Sequence, residues 1–123
     1  MNQLKPATTY PAIVGRILET RRKELSLDQS KLAKTVGVAQ STWSRAERGT
    51  VAISVEQLAK AARAMRWSPG QVLTQADKVA SALPAQGIQV EAERVEDPLK
   101  VGLLLIGAAA LTALVVLILA RGE

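Results

Sequence analysis

At 123 residues, with 16 basic against 11 acidic side chains, the chain has room for one small domain plus an extension and carries a formal charge of +5. It contains neither Cys nor His, which excludes disulfides, thiol nucleophiles, the common zinc sites and histidine acid–base chemistry. Two Trp, one Tyr and no Phe leave little to line a ligand pocket, and no paired carboxylates stand near a Gly-rich phosphate loop, so neither an enzyme nor a cofactor or metal is expected.

The charge is unevenly spread. Residues 1–75 hold 12 basic and 5 acidic side chains, whereas residues 76–98 hold 2 and 5. The basic character therefore belongs to the N-terminal part, as a polyanion partner would require.

Residues 1–10 lack periodicity and contain Pro6, which reads as a flexible arm. A first helix is expected from about Pro11, which suits a first helical turn, to Glu24. Ile13, Val14, Ile17 and Leu18 form its apolar stripe, with Arg16, Arg21, Arg22 and Lys23 mostly off it. The chain should turn at Ser26. Asp28 is a suitable N-cap for a second helix whose buried face is Leu32, Ala33 and Val36. Gly37 falls where a helix ends in a left-handed residue.

A third helix spans about Gln40 to Glu47, with Trp43 and Ala46 inward and Gly49 closing it. Its polar row, Gln40, Ser41, Thr42, Ser44 and Arg45, has the side chains of a helix whose N-terminal end meets base edges in a major groove. Such a row also suits a plain solvated face.

Ser54 with Gln57 gives a capping box for a fourth helix, with Leu58, Ala61, Ala62 and Met65 inward. Ser68, Pro69 and Gln71 repeat the signal for a fifth, which should pack Val72 and Leu73 and fade near Ser81. Trp67 is placed at the junction of the two. Five short helices over residues 11–81 make an all-α domain, and no run reads as a convincing strand.

Residues 82–98 read as an acidic linker broken by Pro84, Gly87 and Pro98; a strand at Ile88–Ala92 would have no ladder of its own. The run 101–120 holds no charge. At 1.5 Å per residue its length matches the roughly 30 Å hydrocarbon core, so a single transmembrane helix is expected over 99–120, with 121–123 as a tail. That predicts the lipid bilayer as a partner and a single-pass inner (cytoplasmic) membrane location with the N-terminal domain in the cytoplasm. Ala109 and Ala113 form a small-xxx-small pair suited to pairing two spans.

Residues 13–75 resemble the Cro/phage-repressor (XRE) helix-turn-helix family. The resemblance is carried by Val14-Gly15, Leu18, Arg22, Leu27-Asp28-Gln29, Leu32-Ala33, Val36-Gly37-Val38 and, most specifically, the block Gln40 to Gly49. It implies a five-helix repressor-like domain that binds double-stranded DNA, with a homodimer on half-sites about 34 Å apart. Gln29 would contact a phosphate, Gln40, Ser41 and Ser44 base edges, and Arg45 a guanine or a phosphate. Arg48 and Lys34 would contact phosphates, and Arg22 with Glu47 would form a buried structural ion pair.

The family pattern is broken at Ala39 in place of a capping Ser, at Ser26 in place of Gly, and at Trp43 in place of Ile or Val. The whole then reads as a membrane-anchored transcription regulator. The alternative is a scaffold resembling the RodZ family, whose tethered domain binds cytoskeletal protein instead of DNA.

Overall fold

A computed structural model describes residues 3–121; the first two residues of the expected arm and the last two of the expected tail lie outside the described residues. Six α-helices and three short strands follow in the order β1 (Lys5–Thr9), α1 (Tyr10–Glu24), α2 (Gln29–Val36), α3 (Gln40–Arg48), α4 (Val55–Ala64), α5 (Pro69–Ala82), β2 (Gln89–Glu91), β3 (Leu103–Leu105) and α6 (Ala108–Ala120).

Local chemistry sets the helix boundaries. Thr9 Oγ1 accepts from Ala12 N at the head of α1, and Asp28 accepts from Ser30 N at the head of α2. Both expected capping boxes, Ser54 with Gln57 and Ser68 with Gln71, are formed reciprocally. Gly37 and Gly49 close α2 and α3 at φ +89° and +81°. Ser26 takes the same left-handed region at φ 53°, a conformation less comfortable for a residue with a Cβ.

Ile13, Ile17 and Leu18 of α1, Leu32 of α2, Trp43 of α3, Met65 after α4, and Val72 and Val79 of α5 are all essentially inaccessible and form one core. Leu73 departs from expectation: it is 40% exposed, because α5 turns Val72, Ala76 and Val79 inward instead. Trp67 is half-buried, with the Arg21 guanidinium 4.7 Å from its ring centroid.

The all-α expectation is corrected by a three-stranded parallel sheet in the order β2-β1-β3. The arm supplies its centre. Ala7, Thr8 and Thr9 pair with Gln89, Val90 and Glu91, and Lys5, Pro6 and Ala7 with Leu103, Leu104 and Leu105. Lys5 N donates to Gly102 O and Ile106 N to Ala7 O, so Lys5 and Ala7 address β3 and the alternate residues Pro6 and Thr8 address β2. The missing N–H of Pro6 then falls on the β2 side, where pairing begins only at Ala7. A proline is thereby tolerated in a central strand.

The transmembrane helix is not formed. Among the described residues no helix is long and apolar enough to cross a membrane. The apolar run is cut twice: Gly102, at φ +74°, ends a 3-10 turn over Pro98–Val101, and Gly107 is the N-cap of α6. What remains is 13 residues of helix, about 20 Å long. Leu111, Val115 and Ile118, at i, i+4 and i+7, are buried where α6 packs on α1 and α5. Thr112, the run's one polar side chain, accepts from Arg16 Nη1 at 3.2 Å and donates to Ala108 O at 2.9 Å. Ala109 and Ala113 lie exposed on the opposite face. The bilayer partner and the inner-membrane location rested on this span and are corrected with it; within the expected linker, residues 89–91 are sheet.

Two outcomes follow. Leu111→Ala should destabilise the domain by about 2–5 kcal/mol in urea unfolding, as for a buried core leucine; a change within about 0.5 kcal/mol would mean that α6 is not docked. The second concerns Tyr10, whose hydroxyl donates to Asp77 Oδ1 at 2.6 Å. Burial, then the hydrogen bond and the charge of Asp77, push its phenol up to about 12. The folded value lies above the unfolded one of about 10, so this contribution to stability is complete below pH ~10 and lost as pH rises toward 12. As the chain has a single Tyr, ultraviolet titration reads it directly, and Asp77→Asn should lower the midpoint.

Candidate nucleic-acid interface

The helix pair α2–α3 is organised on a carboxylate that water does not reach. Glu47, in the last turn of α3, is 0% exposed. Its two oxygens accept from Arg22 Nε at 2.7 Å, Arg22 Nη2 at 2.9 Å, Gln29 Nε2 at 2.8 Å and Trp43 Nε1 at 2.7 Å. A buried charge needs this density of donors, since removal from water is expensive without them. The fork of Arg22 delivers two at once, and the hydrogen bond to Glu47 also holds the arginine's proton more tightly than usual. Trp43 fills more space than the Ile or Val of the family pattern, and its indole N–H has a partner in Glu47 one turn along the same helix.

The backbone of the same residue is held as well. Arg16, 4% exposed, donates from Nε to Glu47 O at 2.9 Å and from Nη2 to the same oxygen. That carbonyl belongs to the last turn of α3, where carbonyls lack intrahelical partners and a cation is favoured by the helix dipole. Arg16 also pairs with Glu19 at 2.8 Å. Burial pushes the Glu19 carboxyl up, but the Lys23 hydrogen bond and the Arg16 and Lys23 charges outweigh it and hold the group below its usual range. Gly15 allows α1 and α3 to touch: a Cβ there would lie 2.4 Å from Ala46 O and 2.5 Å from Glu47 O. Arg16 was grouped in the sequence with the off-stripe arginines. No local signal separates it from them, because its partners Glu47 O and Thr112 Oγ1 lie 31 and 96 residues away.

From this clamp a polar chain leads outward. Gln29, at the first position of α2, donates to Glu47 and accepts at Oε1 from Gln40 Nε2 at 3.3 Å. The starts of α2 and α3 are thus tied together, with Gln29 half-buried and Gln40 exposed. Gln40, Ser41, Ser44, Arg45 and Arg48 follow at i, i+1, i+4, i+5 and i+8, one continuous outward stripe. Ser44 is half-buried on it, and Gln40, Ser41, Arg45 and Arg48 are exposed.

Thr42 sits off the stripe and is half-buried. Lys34 is exposed in the last turn of α2, by the Gly37 turn, at the other end of that helix from Gln29. No side chain caps α3 at Ala39. Its other end is closed by Gly49 and by Thr50, whose N and Oγ1 both donate to Arg45 O. No cluster of acidic side chains among the described residues could hold a metal ion.

Two short helices set by a tight glycine turn, the second presenting a polar stripe from a buried clamp, define a helix-turn-helix domain. Residues 18–71 match the family described as helix-turn-helix. Among solved structures the chain is similar to the clp gene regulator ClgR from Corynebacterium glutamicum, at 27% identity and a TM-score of 0.59, over 63% of this chain and 82% of that one. A second crystal structure of ClgR gives 28% identity and a TM-score of 0.52, over 55% and 88%. No curated protein matches the chain.

The clamp makes a direct prediction. Arg22→Met leaves the Glu47 carboxylate buried without its main partner and should cost about 3–5 kcal/mol in chemical unfolding. Arg22→Met combined with Glu47→Leu should recover part of that loss, because an apolar pair leaves no stranded charge.

Proposed function

We propose that the protein is a sequence-specific DNA-binding transcription regulator that reads a major groove with α3. The observation that carries the proposal is the outward stripe Gln40, Ser41, Ser44 and Arg45 on a helix immobilised from behind, beside the Gln29–Gln40 pair at the two helix starts. The roles follow from side-chain chemistry. Gln40 has the paired donor and acceptor that adenine presents, and Arg45 the fork that guanine or a phosphate accepts. Ser41, Thr42 and Ser44 supply short hydroxyls, Thr42 from the flank of the stripe. Gln29, Lys34 and Arg48 are assigned to phosphates, which fix register without reading sequence.

The similarity to ClgR supports a regulator of transcription, and the basic excess of residues 1–75 supports a polyanion partner. A homodimer on two half-sites about 34 Å apart is the arrangement proposed for the bound state. The rival scaffold reading depended on a membrane tether and on an apolar reading face. The described residues form no spanning helix, and the exposed stripe is polar.

Selection of binding sites from random duplexes with the full chain tests the proposal. Gln40→Ala and Arg45→Ala should each relax preference at one position, by about 1–3 kcal/mol against the wrong base. Arg48→Ala and Lys34→Ala should weaken all sequences alike and reduce the salt slope by about 1 each. Absence of any salt-dependent DNA binding by the folded chain would refute it.

A further inference from the structure

A cleft of about 410 Å³ opens at the seam between the helix-turn-helix and the C-terminal extension. Five separate parts of the chain meet there: the end of β1, the first turn of α1, the end of α3 with Thr50, residues 94–96, and the residues ending β3. The volume is within the range of small-molecule sites, and Ala12, Val95, Leu105 and Ile106 supply apolar wall among a majority of polar and charged residues. Val95 and Ile106 are half-buried in the lining, and the buried Thr8 and Thr9 form one side.

The charges come from opposite sides of the seam. Arg48 is the last residue of α3, and Arg94 belongs to the extension. Arg94 Nη1 donates to Thr50 O at 3.2 Å, which holds its guanidinium at the cleft and leaves further N–H groups for a ligand. Glu96 lies at the same opening. Two guanidinium groups attract one carboxylate, and the nearby Glu96 opposes a second negative charge.

We infer that this cleft binds a small organic monoanion, a carboxylate with a short apolar body, held between Arg48 and Arg94, and that its binding weakens the hold on DNA. The inference rests on the DNA-binding reading for its second half only. The sign follows from the assignment of Arg48: a guanidinium paired with a carboxylate in the cleft is withdrawn from a DNA phosphate. The coupling is reciprocal, so DNA must weaken the anion's binding by the same factor. The position adds leverage, because Gly49 sits so close to α1 that a Cβ there would meet Ala12 Cα at 2.4 Å.

The test uses the full chain, hexanoate as probe, and hexanamide and inorganic phosphate as controls at matched ionic strength. Backbone amide NMR without DNA should show hexanoate shifting Thr8, Thr9, Gly49, Thr50 and residues 94–96. Hexanamide should leave them in place, and Arg94→Ala should abolish the hexanoate response while its thermal melt stays that of the parent. With DNA present, hexanoate should lower affinity and reduce the salt slope by about 0.9, one phosphate contact. Equal shifts from hexanoate and hexanamide, or an undiminished hexanoate response in Arg94→Ala, overturn the site. Phosphate acting as strongly as hexanoate overturns the ligand class. A drop in DNA affinity of Arg94→Ala with no anion added also overturns the inference, since Arg94 would then be part of the DNA contact. The NMR arm is independent of DNA, so failure of the regulator reading and failure of the cleft are separable.

Discussion

The helix pair α2–α3 depends on one buried carboxylate. Glu47 brings a full charge into a site with no solvent exposure, and such a charge persists only where donors converge on it. Those donors come from α1, α2 and α3 itself, so satisfying Glu47 fixes three helices at once. Arg16 adds a second hold through the backbone carbonyl of the same residue. The consequence is an asymmetric helix. The C-terminal end of α3 is fastened by Arg16, Arg22, Gly49 and Thr50, while its start at Ala39 has no side-chain cap. A cap is worth about 1 kcal/mol, and its absence leaves the first amide groups of α3 free at the end proposed to face DNA.

The helix-turn-helix was legible in the sequence because each of its signals is local. Asp28, Ser54 and Ser68 announce helix starts within three residues, and Ile13, Ile17 and Leu18 announce a buried face within two turns. The sheet had no such signal. Its central strand contains a proline, and its partners lie more than eighty residues away, so no window of sequence holds both halves of the ladder. Strand 89–91 looked unsatisfiable because its partner read as an arm.

Residues 101–120 are opaque in sequence for a different reason. A run that is apolar all round gives no periodicity to show which side is buried, and length alone then favours a span. The information was in the punctuation. Gly102 and Gly107 divide the run, one ending a 3-10 turn and the other capping α6, so that no uninterrupted helix of spanning length remains. α6 is not surrounded: Leu111, Val115 and Ile118 are covered, while Val116 and Leu117 are nearly half exposed.

Docking of α6 changes what the extension is mechanically. Residues 108–120 bear on α1, and Arg16 of α1 touches both Thr112 and the carbonyl of Glu47, so one guanidinium joins the extension to α3 through the core. The second junction, Arg94 to Thr50 O, lies at the exposed rim, where water competes for both groups. The two junctions are unequal in kind. The buried one cannot open without stranding a charge, which makes it a permanent part of the fold. The rim contact can exchange its protein partner for water or an anion at little cost. Any variation in how the extension bears on α3 is therefore confined to the Arg94 end, next to the last turn of the helix and on the side of Arg48.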